Sequence, residues 1–292
     1  MTHKTNVVYS PSLSAQWDCH IWLKLELCNI TGSHKDRESR LVVTECIKRG
    51  YTELGCATTG NYGLSLAYYA WLHGLRFHVW VMKPTPLDMV NALRMFNAHI
   101  HAVDAPLSDL VEMSSCVLSQ KGAMDANPGR CGLKLAAHKE TALELQQQIP
   151  SLSKVVVPVN NGSLLLGMAG GLAPNVKLFG VTSRSEGATA INDFCCAEGR
   201  ERVVDSVSKR QGHLVDVLGD EIHMAQALLK QEGINAEFSS AAVIAALPHI
   251  SCCEQEHICC VITGHGDKSA LLHQLKLEQL AFEQIEQQRR AL

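Results

Sequence analysis

Four short stretches carry residue types that could do chemistry. TGSHKDR (Thr31–Arg37) sets Lys35 behind a Thr-Gly-Ser turn, between His34 and Asp36. A lysine amine able to lose its proton is a nucleophile for carbonyl groups. Otherwise it is a solvated charge, and Asp36 serves only the N-terminus of a helix. ATTGNYG (57–63) places small hydroxyl residues between a strand and a helix, where backbone N–H groups can hold an anion. Its plainer reading is an ordinary capped turn. VNNGSLLLG (159–167) also follows a strand and opens a helix, and could cradle a phosphate. It is not a P-loop, because no lysine follows the glycine, and Asn160 and Ser163 stand where a dinucleotide fingerprint has glycines. VITGHGDKS (261–269) ends a strand at Thr263 and sets His265 between two glycines, as a base or as a turn residue.

The elements that must position these loops alternate. IWLKLEL (21–27), ELGCA (53–57), RFHVWVMK (76–83), HIHAVD (99–104), KVVVPV (154–159), KLFGVTS (177–183) and HICCVIT (257–263) read as strands. RESRLVVTECIKRG (37–50), LSLAYYAWLHG (64–74), NALRMFNA (91–98), SDLVEMSSCVLSQKG (108–122) and SLLLGMAGGL (163–172) read as helices, with Ser108 as an N-cap. The last twenty residues form a helix at the domain edge, and Leu275, Phe282 and Ile285 on it hint at a contact surface. Strand–helix alternation predicts an α/β fold with mostly parallel sheets and helices on both faces. Ligands then sit beyond the carboxyl ends of the strands, so the strand-to-helix loops carry function. DANPGRCG (125–132) is the best boundary between lobes.

Composition narrows the class. The chain has 292 residues, 46% of them hydrophobic, enough for a large core in one domain or two. A net charge of −3 and 5% aromatics speak against nucleic acid and anionic membranes as partners. No apolar run reaches the roughly 20 residues that span a bilayer. The N-terminus lacks the apolar stretch of a signal peptide, so a cytoplasmic location is expected. The densest of the 12 cysteines lie in CCEQEHICC (252–260). Zinc ligation is one reading. Adjacent cysteines on a strand point to opposite faces and chelate poorly, so buried apolar cysteine is the other, and no metal is expected.

In order and spacing, the four loops together resemble the fold type II pyridoxal-phosphate enzymes, the group like the β subunit of tryptophan synthase. Within that group the chain looks most like the threonine synthases. The stretches that carry the resemblance are LKLELCNITGSHKDR, ATTGNYGLSLAYYAWLHGL, NPGRCGLKLAAHKETALEL, VVVPVNNGSLLLG and ITGHGDK. The resemblance implies two lobes, each with a mostly parallel twisted sheet flanked by helices, and pyridoxal 5'-phosphate in the cleft between them. Residues 1–52 and 126–292 would form the larger lobe and 53–125 a smaller, mobile one. It also implies a homodimer and a small amino-acid substrate.

By the same resemblance Lys35 forms the Schiff base with the cofactor, and its freed amine takes the substrate's α-proton. Asn61 bonds the cofactor's 3-hydroxyl. Thr58, Thr59 and Asn61 hold the substrate carboxylate. Asn160, Asn161, Gly162, Ser163 and Leu164 wrap the phosphate, with Asn160 tolerating a left-handed conformation if one is needed. Thr263 faces the pyridine nitrogen. A hydroxyl there favours elimination or replacement at the β or γ carbon over transamination. His34 replaces the family's usual phenylalanine, either tuning Lys35 or filling the same space. Asp125 stands, with Arg130, where a phosphohomoserine phosphate would bind, and its charge opposes that substrate. The implied activity is a threonine synthase-like lyase acting by β- or γ-elimination or replacement. A genuine threonine synthase and a degenerate, non-catalytic binding partner of the same fold are the alternatives.

Overall fold

The computed structural model describes residues 4–58, 60–127, 132–183 and 197–291. In chain order its helices and strands are β1 (Val7–Tyr9), α1 (Pro11–Trp17), β2 (His20–Leu25), α2 (Lys35–Lys48), β3 (Glu53–Ala57), α3 (Asn61–Leu72), β4 (Arg76–Met82), α4 (Leu87–Met95), β5 (His99–Val103), α5 (Leu107–Lys121) and β6 (Met124–Asp125). There follow α6 (Leu133–Gln148), β7 (Leu152–Pro158), α7 (Ser163–Ala169), β8 (Lys177–Ser183), α8 (Ala197–Lys209), β9 (Leu214–Val217), α9 (Gly219–Gln231), α10 (Phe238–Ala245), β10 (His257–Ile262) and α11 (Lys268–Ala291). The fold is α/β, with parallel sheets flanked by helices.

Two compact units form, Met1–Asn29 with Gly132–Gly266, and Ile30–Cys131 with Asp267–Leu292. The first holds a six-stranded sheet among the described residues, in the order β1-β2-β10-β7-β8-β9. Only β1 runs antiparallel within it. Its inner strands are buried on both faces, which is why VVVPV and HICCVI read as unbroken apolar runs. The cysteine doublet obeys strand geometry. Cys259 packs into the core on one face with Val155 and Leu165, and Cys260 into the core on the other with Leu23 and Ile244.

The second unit holds, among the described residues, a four-stranded parallel sheet, β5-β4-β3-β6. Its bounds differ from the division read from the sequence, which gave 30–52 and 267–292 to the other lobe. Here α2 packs on α3, and α11 on α4, so both segments bury their apolar faces in the smaller sheet's unit. The contact surface expected on the tail helix is corrected by the same packing. Leu275 is fully buried, and the Phe282 ring meets Trp71 edge-on at 5.1 Å. Among the described residues, the large apolar side chains that α11 exposes are Leu277 and Leu280; the Ile285 side chain lies outside them. Ser108 does not cap α5 either. Pro106 precedes the first turn, and Ser108 lies inside the helix, bonded to Asp109.

Candidate active site

In the second unit, β3 and β6 are parallel neighbours, so the loops after Ala57 and Asp125 leave the same edge of the sheet. Lys35 opens α2, the helix packed on α3. The turn before it is held by Asp36, which is 2% exposed. Its carboxylate accepts from the Thr31 amide at 2.8 Å, from the Thr31 hydroxyl, and from the Ser65 hydroxyl on α3 at 2.7 Å. Asp36 therefore anchors the turn on α3, a larger task than favouring a helix N-terminus. The Lys35 side chain is 17% exposed and its Nζ donates to Glu38 Oε1 at 2.7 Å. Ser39, four residues along the same face of α2, is fully buried and its hydroxyl has no hydrogen-bond partner.

His34 is the residue before α2 and gives that helix no side-chain cap. One of its ring nitrogens lies within 4.8 Å of a Glu38 carboxylate oxygen. The ring thus stands against a charged group, where the phenylalanine usual in the family would offer no polar atom.

Thr58 is 9% exposed, and its hydroxyl accepts from the Gly60 amide at 3.4 Å. Its methyl group presses on the first turn of α3, where a Cβ on Gly63 would come within 2.5 Å of it. That close approach is why a glycine occupies this helical position. Asn61 begins α3, and its Oδ1 accepts from Lys268 Nζ at 2.7 Å. Thr59 and Arg130 lie outside the described residues. Asp125 is half-buried, and its Oδ1 accepts from the Asn127 amide at 2.9 Å. Part of its acceptor capacity therefore holds the turn after β6. Asn127 itself is fully buried, accepts from the Ala57 amide at 2.7 Å, and donates to Ser114 and Ser115 on α5. It ties β3 to α5, a role that the NP dipeptide alone does not reveal.

In the first unit, β7 and β10 are parallel neighbours, so the 159–164 loop and Thr263 leave the same edge of the larger sheet. Gly162 has φ +84 and precedes α7. A Cβ there would be strained by the backbone and would meet Val203 Cγ2 at 2.6 Å. The left-handed position falls on the glycine, so Asn160, which is exposed and has no positive φ, is not called on to adopt one. Asn161 Oδ1 accepts from the Ser163 amide at 3.2 Å and hydroxyl at 3.0 Å, closing the turn into the helix. The Leu164 side chain is buried in the core, so only its main chain is available to a ligand.

Thr263 is 2% exposed and shares a hydrogen bond with Ser240 of α10 at 2.8 Å. Ser240 Oγ also accepts from the Gly264 amide at 2.7 Å. Ser240 is the residue here that sequence reading missed. It lies in FSSAAVIA, a short apolar helix with no chemical signature. His265 sits in an antiparallel bridge to Ala236.

The family model for "pyridoxal-phosphate dependent enzyme" matches residues 2–264. The chain is 26% identical to a threonine synthase of Mycobacterium leprae, over 90% of this chain and 81% of that one. It is 25% identical to an L-threonine ammonia-lyase of Thermotoga maritima, over 90% and 71%. The structure of maize serine racemase superposes with a TM-score of 0.77 at 19% identity, covering 94% of this chain and 93% of that one, which speaks to the fold.

The residues present fit the cofactor in kind. An amine at a helix start suits an aldehyde. A glycine-turned loop opening α7 offers first-turn N–H groups, which have no acceptor within a helix, to a phosphate. A buried hydroxyl at the end of β10 suits a ring nitrogen, and the buried, unpartnered Ser39 hydroxyl on the face of Lys35 is an atom that a ligand could satisfy. The chain belongs to the pyridoxal-phosphate dependent enzymes, and pyridoxal 5'-phosphate is its cofactor.

Proposed function

We propose that the chain is a threonine synthase-like lyase that removes the α-proton of a small amino acid and then eliminates or replaces a group at its β or γ carbon. Lys35 would carry the cofactor and, once freed, serve as the base. Residues 160–164 would bind the phosphate through main-chain N–H groups, Asn61 the 3-hydroxyl oxygen, and Thr58 with Thr59 the substrate carboxylate. When bound, the cofactor supplies a sink for the electron pair left on Cα. The protein would act as a homodimer.

The observation that carries this reading is the hydroxyl pair Thr263–Ser240. A neutral hydroxyl opposite the ring nitrogen makes a weaker sink than a carboxylate would, which favours loss of a leaving group over transamination. The relatives add support, since both the synthase and the ammonia-lyase names describe such chemistry on those proteins. Asp125 argues against a phosphorylated substrate. Like charges at partly exposed distances repel by about 1–4 kcal/mol.

The test has two stages. Borohydride reduction of the protein with its cofactor, followed by peptide mapping, should place the label on Lys35, and Lys35→Ala should lose the absorption of the bound cofactor. L-serine, L-threonine and O-phosphohomoserine are then assayed for keto acid, ammonia and threonine. Keto acid and ammonia from an unphosphorylated amino acid support the lyase. Threonine formed only from O-phosphohomoserine would make it a true synthase, and inversion without ammonia release would overturn both.

A further inference from the structure

Among the ionisable groups of α2 that the roles above leave unused is a buried carboxylate. Glu38 stands one turn beyond Lys35, and its side chain is 1% exposed. An ion pair at that spacing on a helix surface contributes little. This one is different, because a buried carboxylate is costly unless its charge is paired. Two carboxylates flank the lysine in this turn, and they divide the work. Asp36 is taken up by Thr31 and Ser65. Glu38 faces the amine, and a His34 ring nitrogen lies within 4.8 Å of its carboxylate.

Resting on the reading that Lys35 supplies the reactive amine, we infer that Glu38 is a second catalytic residue, the carboxylate that holds the proton on Lys35 Nζ. When the Cα–H bond of a substrate breaks, its proton bonds to the lone pair of Lys35 Nζ, and the electron pair stays behind on Cα. The ammonium so formed donates to Glu38 Oε1. The buried anion stabilises that charge where little water can reach it. For Lys35 to react as a nucleophile, the same proton must leave against the attraction of Glu38. The carboxylate thus favours proton capture and restrains attack on carbonyls.

The restraint can be read without substrate. Cofactor-free protein is treated with acetic anhydride at near-neutral pH, and acetylation of Lys35 is scored by peptide mass spectrometry against the exposed Lys48 of the same helix. Glu38→Gln should raise the Lys35:Lys48 ratio several-fold, because the amine no longer faces an opposite charge that holds its proton. Glu38→Asp, which keeps the charge, should stay closer to wild type. Circular dichroism checks the fold, and Glu38→Met replaces Glu38→Gln if the latter does not fold. An unchanged ratio in a folded variant overturns the role of Glu38. The same proteins are then mixed with pyridoxal phosphate and reduced, and Glu38→Gln should take the label on Lys35 faster. If Lys35 takes no label in any variant while the acetylation ratio still rises, the assignment of Lys35 has failed, and the catalytic role fails with it for that separate reason.

Discussion

Lys268, the first residue of α11, donates from its Nζ to Asn61 Oδ1 at 2.7 Å. That contact fixes which way the Asn61 amide faces, since an oxygen engaged by an ammonium group leaves the NH2 to donate elsewhere. A cofactor's 3-hydroxyl oxygen would need such a donor.

Lys268→Met should therefore weaken cofactor binding without touching the cofactor's covalent attachment point. Hydrogen bonds to charged groups contribute about 1.5–3 kcal/mol, so a roughly tenfold rise in the dissociation constant is expected. Titration of the cofactor's absorption measures it. Lys268→Arg should recover part of the loss. Unchanged affinity in Lys268→Met would remove Lys268 from the site.

A second expectation concerns Ser240. Its hydroxyl accepts from the Gly264 amide and shares a hydrogen bond with Thr263. Ser240→Ala leaves a buried N–H without its acceptor, at a cost of about 1–3 kcal/mol. Urea unfolding should show that loss. Thr263→Val should cost less stability, because Ser240 keeps its bond to Gly264, yet should alter the absorption of the bound cofactor more. Equal spectral effects of the two variants would argue against a direct role for Thr263.

What the sequence made legible here is what strand and helix periods record. The strand runs, the loops at their carboxyl ends and the cysteine doublet split between two cores all follow from alternation and length. What it hid are features set by tertiary packing. Nothing local says that Ser240 meets Thr263, or that Asn127 bonds across to β3 and α5. The helix α6 escaped notice because its buried face mixes Ala137 and Leu145 with Lys134, His138, Thr141 and Glu144, which blurs the apolar stripe. The i, i+3 spacing of Lys35 and Glu38 was visible, but such pairs are common on helix surfaces, and only the burial of Glu38 gives this one weight.

The histidines of the smaller sheet should make the fold acid-sensitive. His78 stacks on His99 at 4.9 Å, and its Nε2 meets Glu53 Oε2 at 3.0 Å. Burial lowers the His78 pKa despite the pull of Glu53, and burial with the charge of His78 lowers that of His101. A histidine whose folded pKa is depressed contributes stability that is complete above its unfolded value, about 6.5, and is lost as pH falls below it. The hydrogen bond from His78, with the Arg76 and His78 charges, lowers the Glu53 pKa, so its contribution persists until lower pH. Melting temperature should therefore drop between about pH 6.5 and pH 5, ahead of the carboxylates. His78→Phe should flatten that drop. An equal slope in the variant would assign the acid sensitivity to other groups.

Lys24 is a large, fully buried side chain, and it is charged. Its Nζ donates to Glu144 on α6, to the Thr5 carbonyl at 2.8 Å and to Gln148 Oε1 at 2.8 Å. Glu144 in turn accepts from the Thr5 amide at 3.0 Å. The cluster ties the segment before β1 to β2 and α6. Removing one partner takes the opposite charge away from a buried ion, so Lys24→Met should cost about 3–5 kcal/mol in urea unfolding. Lys24→Met combined with Glu144→Leu removes both charges and should cost clearly less than the sum of the single changes, although the Thr5 amide loses its acceptor. Strict additivity in that double-mutant cycle would mean that the two charges do not stabilise each other, despite their contact.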